Sequence, residues 1–238
     1  MSVDPYRAPQ AGAVGEFNGS GFGLLGWGLL MGLANAVVIP AAWGAVAFYR
    51  WLFTKLRLSD GTTATFEGRA EEIWGWFALA ALLGLVPQTG HLTSDKHTQT
   101  IVLQLGPLLL SPLSCYIWVI IARWLTRNIR STRGKRLTFT GTWGAYLGWT
   151  LLVAVSFITI VGWAWTAVAM INWFCRSLDA EGDDIVFTGT GAQFLWRTLL
   201  GSLACCVIIP IPWILAWWYQ WFFSCIAVRY APTPIPSP

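Results

Sequence analysis

Four times along the chain a phenylalanine and a glycine, one residue apart, stand just ahead of an apolar run. The stretches are FNGSGFGLLGW (17–27), FEGRAEEIWGW (66–76), FTGTWGAYLGW (139–149) and FTGTGAQFLWR (187–197). Ten residues after the Phe come Trp27, Trp76, Trp149 and, breaking the pattern, Arg197. Gly26, Gly75 and Gly148 come nine after it, where the fourth stretch has Trp196. The match continues downstream through the turn-like segments VIPAAW (38–43), SPLSCYIW (111–118), IVGWAW (160–165) and IPIPW (209–213). These carry Trp43, Tyr116, Trp165 and Trp213, and eight residues later stand Trp51, Trp124, Trp173 and Trp221. A polar residue precedes each of the last four: Arg50, Arg123, Asn172 and Gln220. Self-similarity of this extent restricts the fold to tandem copies of one supersecondary unit.

Each copy holds two apolar segments. The patterning predicts helices near 21–39 and 41–57, 70–86 and 105–127, 143–161 and 163–177, and 191–209 and 212–228. A Pro or Gly between the two segments favours a hairpin over one bent helix. The solvent of this hairpin follows from composition. The 238 residues are 55% hydrophobic and 11% charged, with mean hydropathy +0.56, whereas soluble domains carry about 25% charged residues. The 17 Trp suit membrane interfaces, because the ring is apolar and its N–H needs a wet partner. The expected fold class is therefore an all-α membrane protein, with about eight transmembrane helices arranged as four tandem two-helix hairpin repeats. Spanning takes about 20 residues; most segments are at the short end, and 163–177 is below it, so a hairpin that half-crosses is the alternative there. The expected organisation is a polar tail at 1–16 with no signal-peptide pattern, then one membrane domain at 17–228. Its repeats are 17–65, 66–138 with an insertion at 87–111, 139–186 and 187–228, and a Pro-rich tail follows at 229–238.

Hairpins place both ends and the three links on one side. Fourteen of the 15 Lys and Arg lie in the tails, the links or the helix portions nearest them, and only Lys96, in the insertion, lies opposite. The positive-inside rule makes the link side cytoplasmic. The densest basic cluster, with Arg123, Arg127, Arg130, Arg133, Lys135 and Arg136, is an expected contact for anionic lipid headgroups or a partner. The acidic link at Asp179, Glu181, Asp183 and Asp184 either pairs with that cluster or is simply solvated.

FTGTG invites comparison with a phosphate loop, yet no G-x-x-x-x-G-K-[ST] or strand–Gly–helix fingerprint is present. The preferred reading is a helix start. Ser20, Thr142 and Thr190 are good N-caps, Thr190 with Gln193 has capping-box spacing, and Glu71 and Glu72 suit a first turn. The Gly supplies unusual backbone angles, and the Phe docks at the interface. The repeat caps are thus Phe17, Gly19, Phe66, Gly68, Phe139, Gly141, Phe187 and Gly189. Arg50, Arg123, Asn172 and Gln220 form either a polar ring lining an interior or an interface layer, the second being preferred. Arg50, Arg123 and Arg197 can each snorkel to the cytoplasmic end. Cys115, Cys175, Cys205, Cys206 and Cys225 lie in apolar runs and read as small hydrophobes. His91, Asp95 and His97 could hold a metal but read as solvated insertion residues. No metal, cofactor or catalytic group is assigned, and nothing points to nucleic acid.

Units that open with Phe-x-Gly and continue into a Gly/Pro-aromatic turn and a basic aromatic stretch resemble the YjgN-like family of bacterial inner-membrane proteins. The carriers are FEGRAEEIWGW, FTGTWGAYLGW, FTGTGAQFLW, VGWAW, IPIPW, FYRWLFTK and ARWLTRN, over about 17–228. The second unit departs through its insertion and Tyr116, and the fourth through Gln220 and its lack of basic residues after Trp221. The resemblance implies a polytopic membrane fold in the bacterial inner membrane and no catalytic motif. The functional expectation is a non-enzymatic accessory or scaffold subunit that packs against lipids and other membrane subunits, with Gly26, Gly75 and Gly148 letting helices approach closely. The alternative is a small-solute transporter or channel.

Overall fold

The computed structural model describes residues 12–89, 106–159, 161–206 and 210–230. Within them the order strand, helix, helix, strand occurs four times. The first group is β1 (Ala13–Phe17), α1 (Gly21–Val37), α2 (Ala41–Lys55) and β2 (Leu56–Leu58). The second is β3 (Ala64–Phe66), α3 (Trp74–Thr89), α4 (Gly106–Arg127) and β4 (Ile129–Ser131). The third is β5 (Thr138–Phe139), α5 (Trp143–Ser156), α6 (Gly162–Arg176) and β6 (Leu178–Asp179). The fourth is β7 (Asp184–Phe187), α7 (Gly191–Cys205), α8 (Ile211–Ser224) and β8 (Ile226–Arg229). The chain is mostly helical, and the short strands correct the all-α expectation. They form because each chain segment entering a helix runs beside the segment leaving the next one, and two adjacent extended segments satisfy their backbone polar groups by pairing.

The helix starts follow local chemistry. Ser20, Thr142 and Thr190 each accept a first-turn N–H, from Gly23, Ala145 and Gln193. The Gln193 side chain returns a bond to the Thr190 N–H, completing the capping box. At the second group Arg69 makes no cap bond, and a 3-10 turn, Ala70–Glu72, precedes α3 with Glu71 and Glu72 in it. Pro40 and Pro210 stand immediately before α2 and α8, where a missing N–H costs nothing.

Among the described residues every helix packs on the one before it and the one after it, and α8 packs on α1, so the eight described helices close into a ring. Two strand contacts reinforce the closure. β1 pairs with β2 in its own group, Phe17 opposite Leu56, and with β8 of the last group, Ala13 opposite Val228. The resulting sheet has the order β2-β1-β8-β7, and β3-β4 and β5-β6 form separate ribbons. Strand β1 therefore takes up residues 13–16, assigned from sequence to the polar tail. One buried cluster lies between α2, β3, α3 and α4, centred on Ala45, Phe66, Ile117 and Trp124. A second lies between α6, β7 and α8, with Val168, Cys175, Phe187 and Trp221.

Among the described residues one helix, α4, with 22 residues, is long and apolar enough to cross a membrane. The other seven have 14 to 17 residues, shorter than the roughly 20 that a span requires. Several of the expected helices stop early because the chain straightens into a strand: 41–57 ends at Lys55, and 212–228 ends at Ser224.

Candidate functional site

All four Phe-x-Gly stretches lie at one kind of place, the corner where a strand turns into the first helix of its group. The residue between Phe and Gly donates its N–H to the carbonyl that closes the second helix of the same group. The pairs are Asn18 to Lys55 (2.9 Å), Glu67 to Asn128 (3.0 Å), Thr140 to Ser177 (2.8 Å) and Thr188 to Cys225 (2.8 Å). Thr140 and Thr188 add their hydroxyls to the same two acceptors, each at 3.0 Å. That is the physical content of the repeated F-T-G-T: the Thr backbone and side chain grip one helix end together.

The Phe and Gly have different work from that expected. Phe17, Phe66, Phe139 and Phe187 are buried within the chain, between 3% and 6% exposed. Their rings fold back over Gly19, Gly68, Gly141 and Gly189 and occupy the space a Cβ would need. None of these four glycines has positive φ, so the glycine is required for space and not for backbone angle. Three of the rings meet the Trp of their own group edge-on: Phe66 with Trp124 at 75°, Phe139 with Trp173 at 89° and Phe187 with Trp221 at 85°. Phe17 instead meets Tyr219 and Phe223 of the last group, and Phe66 also meets Tyr49 and Phe53 of the first. The last group thus contacts the first through the same aromatic pair, two positions either side of the Trp, by which the first contacts the second.

Arg50 donates to the Gly68 carbonyl and Arg123 to the Gly141 carbonyl, both at 3.0 Å and both across 18 residues. Each reaches from a second helix to the corner of the next group. Asn172 donates to Val168 in its own helix at 3.1 Å, and Gln220 is exposed. The four polar positions are therefore not drawn together by hydrogen bonds among themselves. Arg197 lies over Trp217 and Trp221, 4.4 and 4.9 Å from the ring centres. Its Nη1 and the Thr198 hydroxyl are buried without a hydrogen-bond partner among the described residues.

The links form a charged layer outside the corners. Arg133 pairs with Asp60 at 2.6 Å, donates to the Thr62 hydroxyl at 3.0 Å and lies 3.9 Å above the Tyr230 ring. Tyr230 donates its hydroxyl to Asp60 at 2.5 Å. Burial pulls the Asp60 carboxyl upward, but Tyr230, Thr62 and Arg133 outweigh it and hold the group below its ordinary value. Burial and the Asp60 charge together raise the Tyr230 phenol. Lys135 pairs with the buried Asp183 at 2.6 Å, so the basic and acidic links do meet. Arg130 pairs with Glu67 at 3.2 Å. Arg127 and Arg136 are exposed. Of the six residues of the basic cluster expected to face lipid or a partner, four, Arg123 included, are thus engaged within the chain.

Each link also carries a glycine in the left-handed region: Gly61 (φ 84), Gly134 (φ 76) and Gly182 (φ 91). Each stands five residues before a Phe of the motif, and Gly12 has the same offset from Phe17. The Gly12 position is held open by the Val228 carbonyl, 2.8 Å from where a Cβ would be. This fifth element of the pattern, readable as G-x-x-x-x-F-x-G, is missing from the sequence reading above. Gly26, Gly75 and Gly148 have nothing within 4 Å of a notional Cβ, so they bring no helices of this chain together. Cys115, Cys175 and Cys225 are buried, Cys205 and Cys206 are exposed, and all five are free thiols. His91, Asp95, Lys96 and His97 lie outside the described residues. Comparisons with protein families, curated proteins and solved structures yield no match.

Proposed function

We propose that the chain is a polytopic membrane protein of four tandem hairpin repeats closed into a ring, acting as a non-enzymatic accessory or scaffold subunit of a larger membrane assembly. The observation that carries the membrane reading is the apolar outer surface of the helices. Leu29, Leu33, Ile39, Leu109, Ile158 and Leu203 are between 64% and 80% exposed. Large apolar side chains exposed in such number are costly in water, and in a bilayer they are matched to their solvent. Helices of 14 to 17 residues rise about 21–26 Å at 1.5 Å per residue, and a locally thinned bilayer accommodates such lengths at modest cost. The charged corners and links then face the cytoplasm, which fits the excess of basic residues there. The YjgN-like family belongs to this proposal on the residues quoted for it.

The accessory role is supported by the glycines that the fold leaves open. Gly26, Gly75 and Gly148 are exposed flat places on three first helices, and small residues are what a closely packed partner helix needs. Transport is the weaker reading, because Arg50 and Arg123 are bonded to corner carbonyls, which makes them parts of the scaffold.

The test is cross-linking in native membranes followed by mass analysis, on the unaltered chain and on Gly148→Leu. Recovery of the same neighbouring membrane subunits with the first and their loss with the second is expected. A lone protein in both sinks the scaffold role, and solute flux through liposomes holding the purified chain would install the transporter in its place.

A further inference from the structure

Where the second group begins, the capping rule kept elsewhere is broken. The other three first helices start at Ser20, Thr142 and Thr190; here the position is Arg69, which caps nothing. Arg50 reaches this corner from the helix before it through the Gly68 carbonyl. Arg50 and Arg69 thus stand at the same corner. A groove of about 360 Å³ opens there, lined by Trp43, Val46, Ala47, Arg50, Arg69, Ala70 and Glu71. One Nη of Arg50 is bonded to the Gly68 carbonyl, and a guanidinium has four further N–H donors. Arg69 and Glu71 are exposed, and their side chains make no hydrogen bond or ion pair among the described residues. The groove is therefore amphipathic along its length: two cations and a carboxylate at the corner, then Ala47, Val46 and the half-exposed Trp43 toward the start of α2.

We propose that this groove binds one glycerophospholipid with a primary-amine headgroup, its phosphodiester on Arg50 and Arg69, its ammonium on Glu71 and an acyl chain along Val46, Ala47 and Trp43. The charges match in kind and order: guanidinium forks suit phosphate oxygens, and a carboxylate beside them suits a cation one ethylene bridge away. The lining runs along α2 from Arg50 at the corner toward Trp43, the direction a lipid takes from headgroup to chain. A cap side chain has been replaced by a ligand side chain, so the helix start loses its usual bond and the corner acquires a site, which is where a local rule is expected to fail. The inference rests on the membrane reading above.

Native mass spectrometry of the full chain in detergent, titrated with phosphatidylethanolamine, phosphatidylcholine or inorganic phosphate, tests it. Phosphatidylethanolamine is expected to bind about tenfold tighter than phosphatidylcholine, whose methylated ammonium has no N–H for Glu71. Arg69→Gln, a residue with no bond to lose, is expected to weaken phosphatidylethanolamine about tenfold, and Glu71→Gln to erase the difference between the two lipids. The proposal is overturned if Arg69→Gln binds like the unaltered chain, if both lipids bind equally, or if inorganic phosphate displaces the lipid at equal concentration, which makes the site one for a free anion. Carbonate washing of membranes separates the two levels. Retention of both proteins without any lipid preference overturns the site alone, and release of the unaltered protein overturns the membrane reading.

Discussion

Replacing Gly141 by Ala tests the account of the Phe-x-Gly corner directly. A Cβ at Gly141 would overlap Cζ of Phe139 and stand 2.8 and 3.0 Å from its Cε atoms. The ring has no free direction in which to yield. It is 6% exposed, edge-on to Trp173 at 6.1 Å and 4.9 Å from Phe174. Overpacking of a filled core costs about 1–3 kcal/mol. For a domain of this size each kcal/mol lowers the unfolding midpoint by about 2–4 °C, so the expected fall is roughly 2–12 °C in total. Phe139→Ala alone costs about 3–5 kcal/mol, but it removes the obstruction. In that background Gly141→Ala is expected to be neutral or to stabilise by about 0.4–1 kcal/mol, through the reduced freedom of the unfolded chain. Thermal unfolding in detergent, followed by Trp emission, measures all four proteins of the cycle. Gly148→Ala is the internal control. It lies in α5 with open space around it, and should stabilise by about 0.5–1 kcal/mol. The reasoning is refuted if Gly141→Ala is neutral on its own, or if it costs the same whether Phe139 is present or not.

Further expectations concern the bonds around the corners and links. Thr140→Val and Thr188→Val should each cost about 0.5–1.5 kcal/mol, read as a midpoint shift, because each removes a hydroxyl bond to a helix-closing carbonyl and leaves the N–H bond in place. Lys135→Ala should cost more than Arg130→Ala: the first removes an ion pair from the buried Asp183 side chain, 4% exposed, whereas Arg130 and Glu67 are 39% and 58% exposed, and exposed pairs contribute about 0–1 kcal/mol. Asp60 has a depressed folded-state pKa, so its contribution is complete above the unfolded value near 3.8 and disappears as pH falls through the lower folded value. A midpoint-against-pH profile should show this acid loss in the unaltered chain and lack it in Asp60→Asn.

The helix pairs and their caps were legible because the signals are local. An N-cap is read from one side chain and the residues just after it, so Ser20, Thr142, Thr190 and the Gln193 box could be placed without a fold. The strands were not legible for the opposite reason. Pairs such as Thr138–Phe139 with Leu178–Asp179 are two residues long, too short for an alternating pattern to register, and they exist because the helix hairpin between them returns the chain to its start. The role of the motif was misread through the same limit. Glycine is used for backbone angle and for space, and a lone sequence shows only that it is there. The structure assigns the two uses to two different glycines of one pattern: angle to Gly61, Gly134 and Gly182, space to Gly68, Gly141 and Gly189.

That division explains how a short motif can set a large architecture. The first glycine reverses the chain between two groups, and the next few residues extend into a strand. The Phe then folds under the second glycine, filling a gap that no other residue would leave. The residue between them bonds the end of the second helix, fixing the distance between the two ends of a hairpin. Because Phe17 and Phe66 also meet aromatic residues of the preceding group, those two corners position their own hairpin and its neighbour at once. Packing of each helix on the next, and of α8 on α1, brings the last group back to the first. The pairing of β1 with β8 then joins the two ends of the described chain. The ring is on this account a consequence of the corner geometry repeated four times, and a change at the Phe17 or Phe66 corner should be felt at two helix pairs.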